Sequence, residues 1–127
     1  MLIENEKKIL VVDDNRLSLE IARSNLEQAG YEVATAGDGN EGLEKLQKEK
    51  PDLVILDLVL PGLDGFGFLN ICKKDSATKH IPVIVLTGRD SKEDMDEVRR
   101  LGALDCLVKY RVPSNLLREY IKTIFGE

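Results

Sequence analysis

The sequence predicts an α/β fold, a parallel sheet of five strands with helices on both faces. Three observations predict it. Five short apolar, β-rich runs recur along the 127 residues. Between them, apolar residues repeat at the three- and four-residue spacing of a helix. The order is strand then helix, five times over, and such alternation means crossover connections and a parallel sheet. The length suits one domain with a single core.

The elements follow in order. ILVV (9–12) is the first strand. Leu19, Ala22, Leu26 and Ala29 form an apolar stripe over 16–29, and Gly30 is placed to stop that helix. YEVATA (31–36) is the second strand, and Asp38 stands three residues before Glu41, a capping-box spacing ahead of Leu43 and Leu46. LVILD (53–57) is the third strand, apolar at successive positions as a strand buried on both faces must be. Asp64 can cap 65–74, where Phe68, Leu69 and Cys72 make the apolar side. PVIVLT (82–87) is the fourth strand, and Ser91 with Asp94 can open 92–101, with Met95, Val98 and Leu101 facing inward. DCLV (105–108) is the fifth, and the last helix carries Leu117, Ile121 and Ile124, with Pro113 at its first position. Right-handed crossovers then leave a flavodoxin-like, doubly wound (βα)5 sheet in the order 2-1-3-4-5. Residues 1–127 read as one domain with a polar lead-in at 1–7. No output domain follows Glu127, which fits either a stand-alone unit or a piece of a longer protein.

Composition narrows the function. Hydrophobic residues are 43% and charged residues 32%, so the chain is globular rather than disordered. The net charge of −5 argues against direct nucleic-acid binding by this domain, since phosphate contacts need a basic face. No apolar run has the length of a membrane span, and MLIENEKK is too polar for a secretory signal. Cys72, Cys106 and the lone His80 lack metal-ligand spacing, so a zinc site is not expected. The two cysteines read as small, partly buried hydrophobes in a reducing cytoplasm.

In a sheet of this order the functional crevice lies beyond the carboxyl ends of the strands, between the first and the third. Asp13-Asp14 end the first strand, Asp57 the third and Thr87 the fourth, and Lys109 follows the fifth. Asp13-Asp14 alone could merely cap the next helix. Together, three carboxylates in one crevice repel each other, and a hard divalent cation resolves that repulsion. Magnesium needs only two carboxylates and a carbonyl from the protein. Lys109 can hold an anion, and the Thr87 hydroxyl can donate to it. Asp57 can attack phosphorus to form an acyl phosphate.

These residues resemble the receiver domains of two-component response regulators. VVDD (11–14), LDLVLPGLDG (56–65), VIVLTG (83–88) and LVK (107–109) stand in that family's order, and the likeness runs over residues 7–126. The resemblance implies a cytoplasmic signalling domain rather than an enzyme. It implies that Asp57 accepts a phosphoryl group from a histidine kinase or histidine phosphotransfer protein. It further implies that Asp13 and Asp14 bind Mg2+ together with Asp57 and the backbone carbonyl of Val59. Thr87 would move toward the phosphoryl group, Lys109 would bind it, and Gly88 would let it approach. The downstream effector is not identified by the sequence.

The chain departs from the family at two places. Cys106 stands where receivers carry an aromatic that swings with the threonine, and Tyr110 stands where they carry a proline after the lysine. The 109–110 bond is therefore expected to be trans, because a non-proline cis bond costs roughly 2.5–4 kcal/mol. Lys109 should reach the site through a reshaped loop, with transmission by backbone movement in 87–91 and 108–112. Val59 and Arg89 flank the site; Val59 cannot orient a water, and Arg89 could reach over the phosphoryl group. The competing readings are a phosphorylation-independent interaction module of the same fold, an aspartate-nucleophile phosphatase and a flavin carrier. Val59 stands where the phosphatase wants a second aspartate, and DDNRLS is acidic where a flavodoxin wants a hydroxyl- and glycine-rich loop.

Overall fold

A computed structural model describes residues 6–127. Five strands form one parallel sheet: β1 (Lys8–Val12), β2 (Glu32–Ala36), β3 (Leu53–Asp57), β4 (Val83–Thr87) and β5 (Asp105–Val108). Their spatial order is β2-β1-β3-β4-β5, as the crossover argument requires. The helices α1 (Arg16–Gln28), α2 (Gly39–Glu49), α3 (Gly65–Lys74), α4 (Lys92–Arg100) and α5 (Ser114–Ile124) fill the connections.

Local chemistry sets the helix ends. Asn15, not the acidic pair before it, caps α1, its side chain accepting from the Ser18 amide at 2.9 Å. Gly30, at φ +97°, donates to the Glu27 carbonyl while Tyr31 donates to Leu26. That pair of bonds is a Schellman stop. Asp38 accepts from Glu41 N–H at 2.7 Å, but Glu41 reaches back to the Gly37 amide, one residue earlier than the expected box. Asp64 and Ser91 cap α3 and α4 as their spacing predicts. Pro113 is the N-cap of α5 rather than its first helical residue, and it offers no side-chain cap bond. Of the lead-in expected at 1–7, residues 1–5 lie outside the described residues. Lys7 is already tied down: its carbonyl accepts from Glu32 at 3.0 Å, and its ammonium stands 5.7 Å from the centre of the Phe125 ring.

The strands feed two apolar layers because their side chains alternate. Leu10, Val12, Val54, Leu56, Val83 and Val85 point toward α2, α3 and α4, where Leu46, Phe68 and Val98 meet them. Ile9, Val11, Leu53, Ile55 and Ile84 point the other way, onto Leu26 of α1 and Ile121 of α5. Each such side chain, fully buried, stabilises the fold by roughly 1.5–3 kcal/mol. Cys72 and Cys106 are buried, unpaired members of the first layer. No helix among the described residues is long and apolar enough to cross a membrane.

Candidate functional site

Sheet register brings the acidic residues together. Val12 pairs with Leu56, so Asp13 and Asp57 stand side by side near the carboxyl end of the sheet. Thr87 pairs with Val108, so Lys109 leaves β5 one step further on. Its ammonium reaches back to Asp13 Oδ2 at 2.6 Å and to Asp57 Oδ2 at 3.1 Å. Carboxylate oxygens of Asp13, Asp14 and Asp57 all lie within 4.8 Å of one another. Asp13 and Asp57 are buried, whereas Asp14 is exposed. Both oxygens of Asp13 are engaged, because Oδ1 accepts from the Asn15 amide at 2.9 Å. Asp57 Oδ1 accepts from the Val59 amide at 3.3 Å.

Electrostatics follow from this geometry. Burial pushes the Asp57 carboxyl above its ordinary value; the Lys109 charge and hydrogen bond oppose the rise, and the Asp13 charge adds to it. Burial alone would lower the Lys109 ammonium, yet its hydrogen bond to Asp13 and the charges of Asp57 and Asp13 outweigh that and hold it above its ordinary value. Both shifts have one sense. Asp57 holds its proton chiefly because it is buried, and Lys109 holds its own because Asp13 and Asp57 face it.

Thr87 is fully buried at the end of β4, and its hydroxyl accepts from the Arg89 amide at 3.2 Å. Arg89 does not reach over the crevice: its guanidinium pairs with Asp94 of α4 at 2.8 Å. Val59 is exposed. A Cβ at Gly88 would meet nothing within 4 Å, so protein packing makes no demand for glycine there. From the sequence Gly65 reads only as part of a helix start, with no chemistry of its own. A Cβ there would stand 2.6 Å from the Asp57 carbonyl oxygen and from Leu58 Cα, so the missing side chain lets α3 close on the end of β3. The available signal was Asp64-Gly65 itself, a glycine directly after a cap and close behind Asp57. The 109–110 peptide is trans, and the reshaped loop has a definite form: Tyr110 takes φ +68°, and Arg111 N–H closes a turn on the Val108 carbonyl at 3.2 Å.

Fold and site define the class: one doubly wound domain with an aspartate–lysine crevice at the switch in strand order. A model of the response regulator receiver domain matches residues 9–122, and the chain belongs to that family. It is a signalling domain of the two-component type. The alkaline phosphatase synthesis transcriptional regulatory protein PhoP of Bacillus subtilis (strain 168) is 44% identical over 104 residues. Those residues are 81% of this chain but 42% of that protein, so the chain spans less than half the length of this relative. The chemotaxis response regulator CheY4 of Vibrio cholerae is 34% identical, with a TM-score of 0.86 over 94% of this chain and 99% of that one. The Mn(2+)-bound form of the response regulator Rcp1 is 29% identical, with a TM-score of 0.81 over 95% of each chain.

Proposed function

We propose that Asp57 is the phosphoacceptor of this receiver and that its donor is a phosphohistidine on a histidine kinase or a histidine phosphotransfer protein. A carboxylate oxygen of Asp57 attacks phosphorus, the P–N bond breaks, and the imidazole leaves with the electron pair. Lys109, already on Asp57 Oδ2, is placed to hold the oxygens of the transferred group. Thr87 would give up the Arg89 amide to donate its hydroxyl to the same group. The contact that carries this reading is the Lys109 ammonium bridging Asp13 and Asp57, which marks an anion-handling crevice rather than a helix cap.

The donor set fits a hard divalent cation: three carboxylates converge with a single ammonium among them. Asp13, Asp14, Asp57 and the carbonyl of Val59 would hold Mg2+. Asp14 is favoured as the direct ligand, because both oxygens of Asp13 already have partners. When bound, the ion would offset charge on the phosphoryl oxygens. The Mn(2+)-bound form of Rcp1 supports the same reading. The domain acts in the cytoplasm, and its output is a conformational change read by an effector still to be identified.

Acetyl phosphate with Mg2+ should add the mass of one phosphoryl group to the intact protein, and Asp57→Asn should abolish the addition. Equal labelling of both proteins would remove the acceptor assignment, and no labelling of either would favour a phosphorylation-independent interaction module.

A further inference from the structure

Between α1 and α5 lies a cavity of about 310 Å³, within the size range of small-molecule sites. Its walls are apolar: Leu17, Ile21, Ala22 and Leu26 come from α1, Val108 from β5 and Leu117 from α5. Leu17 and Ile21 are 69% and 53% exposed, so the apolar wall reaches solvent.

The polar lining is divided by charge. Asp13, Asp57 and Lys109 border the cavity where it meets the crevice, and the Lys109 ammonium is already shared between the two carboxylates. The two helices bring no carboxylate to the lining. They bring Ser18, Asn25, Ser114 and Arg118 instead. Ser114 and Arg118 stand four residues apart on α5 and so share a face of it. The Asn25 amide donates to the Ser114 hydroxyl at 3.3 Å, which joins α1 to the same cluster. Arg118 is half-buried and pairs with no carboxylate among the described residues; Glu119, next in the chain, turns to Lys122 at 3.7 Å.

A guanidinium carries only donors, so what satisfies it is an acceptor, best an anion. The apolar wall gains by losing water. One molecule does both if it carries an anionic head on a short hydrocarbon. A cavity of roughly 150 Å³ holds benzene, so about twice that volume admits a chain of about eight carbons. A single cation balances a single negative charge, which selects a carboxylate over a phosphate.

We propose that the α1–α5 cavity is a binding site for a small amphipathic carboxylate, with its head on Arg118, Asn25 and Ser114 and its tail among Leu17, Ile21 and Leu117. The planar guanidinium suits paired hydrogen bonds from a carboxylate. The tail takes Leu17 and Ile21 out of water. The head contacts none of Asp13, Asp57 and Lys109, so the site does not depend on the acceptor assignment.

Octanoate is the probe. Titrated into the chain isotope-labelled at its methyl groups, it should shift the Leu17, Ile21 and Leu117 resonances to saturation, with a Kd of roughly 0.1–1 mM. Arg118→Gln should weaken binding at least tenfold, and Ala22→Leu, which fills the cavity from α1, should weaken it by a similar factor. Arg118→Gln alters only the rim, so it decides the matter even where Ala22→Leu unfolds the chain. Octylamine, with the opposite head charge, should leave the same methyls unmoved. Octanol binding as tightly as octanoate would overturn the proposal and leave an apolar groove of the kind a partner helix covers. Shifts of these methyls with protein concentration alone would assign the face to a second copy and overturn it too. So would octanoate binding that Arg118→Gln leaves unchanged, or no saturable shift up to about 10 mM.

Discussion

Two connections flank the crevice, and they are built differently. The β3–α3 connection, 58–64, is anchored in the core by two of its residues: Leu58 and Leu60 are buried, and the Gly65 amide donates to the Leu58 carbonyl at 2.9 Å, while Val59, Pro61, Gly62 and Asp64 are exposed. The β5–α5 connection, 109–113, lies mostly in solvent, with Tyr110, Arg111 and Pro113 exposed. The first carries the motif that resembles the receiver pattern, and the second departs from it. The difference has a physical origin. A packed turn transmits any change into the sheet, whereas an exposed turn tolerates new residues as long as its two ends stay in place. The end of β3 is held by the first kind, and Lys109 leads into the second.

The largest expected effect tests the packed side. Gly65→Ala should cost about 3 kcal/mol in urea unfolding, since the new Cβ meets backbone atoms that cannot yield cheaply. Gly88→Ala should stay within about 0.5 kcal/mol, because that position opens on empty space. Equal costs would show that close approach of the backbone to Gly65 is not what demands glycine there.

Lys109→Ala comes next. It leaves Asp13 and Asp57 facing each other without their shared cation. In EDTA the loss should be roughly 2 kcal/mol, and Mg2+ should restore part of it. A loss that Mg2+ leaves untouched would mean that the carboxylates do not hold the ion.

A smaller effect depends on pH. The Asp57 carboxyl titrates above its ordinary value of 3.8 in the fold, so the folded state binds the proton more tightly than the unfolded state. Its contribution favours folding below that value and is lost as pH rises through the higher folded value. In EDTA, Asp57→Asn should therefore melt above the wild type at pH 7, with the gap closing as pH falls below about 4. A gap that widens in acid would reverse the sign of the shift.

The smallest effects test the exposed side. Tyr110→Gly should stabilise the chain by about 0.5–1 kcal/mol, because glycine accepts φ +68° freely. Tyr110→Pro, the residue of the family pattern, should destabilise instead, since proline requires φ near −65°. A stabilising proline would show that the loop adopts the family conformation in solution.

The sequence alone determined the five strands, their order and the meeting of Asp13, Asp14, Asp57 and Lys109 at one end of the sheet. Periodicity and crossover handedness are local rules, and they need no knowledge of packing. The same locality explains the boundary errors. Lys8 joins β1 because it pairs with Glu32 of β2, and Pro113 stands at the N-cap of α5, one position before the helix proper. Tertiary structure decided what depends on close approach. Gly65 matters through atoms contributed by β3 and the turn after it, which no helix pattern reveals. Arg89 turns to Asp94 rather than to the crevice, because α4 presents a partner there. The cavity beside Tyr110 exists only once α1 and α5 lie on the same face of the sheet. Side-chain identity sets which groups are available; the distances that select among them arise only when distant segments are packed together.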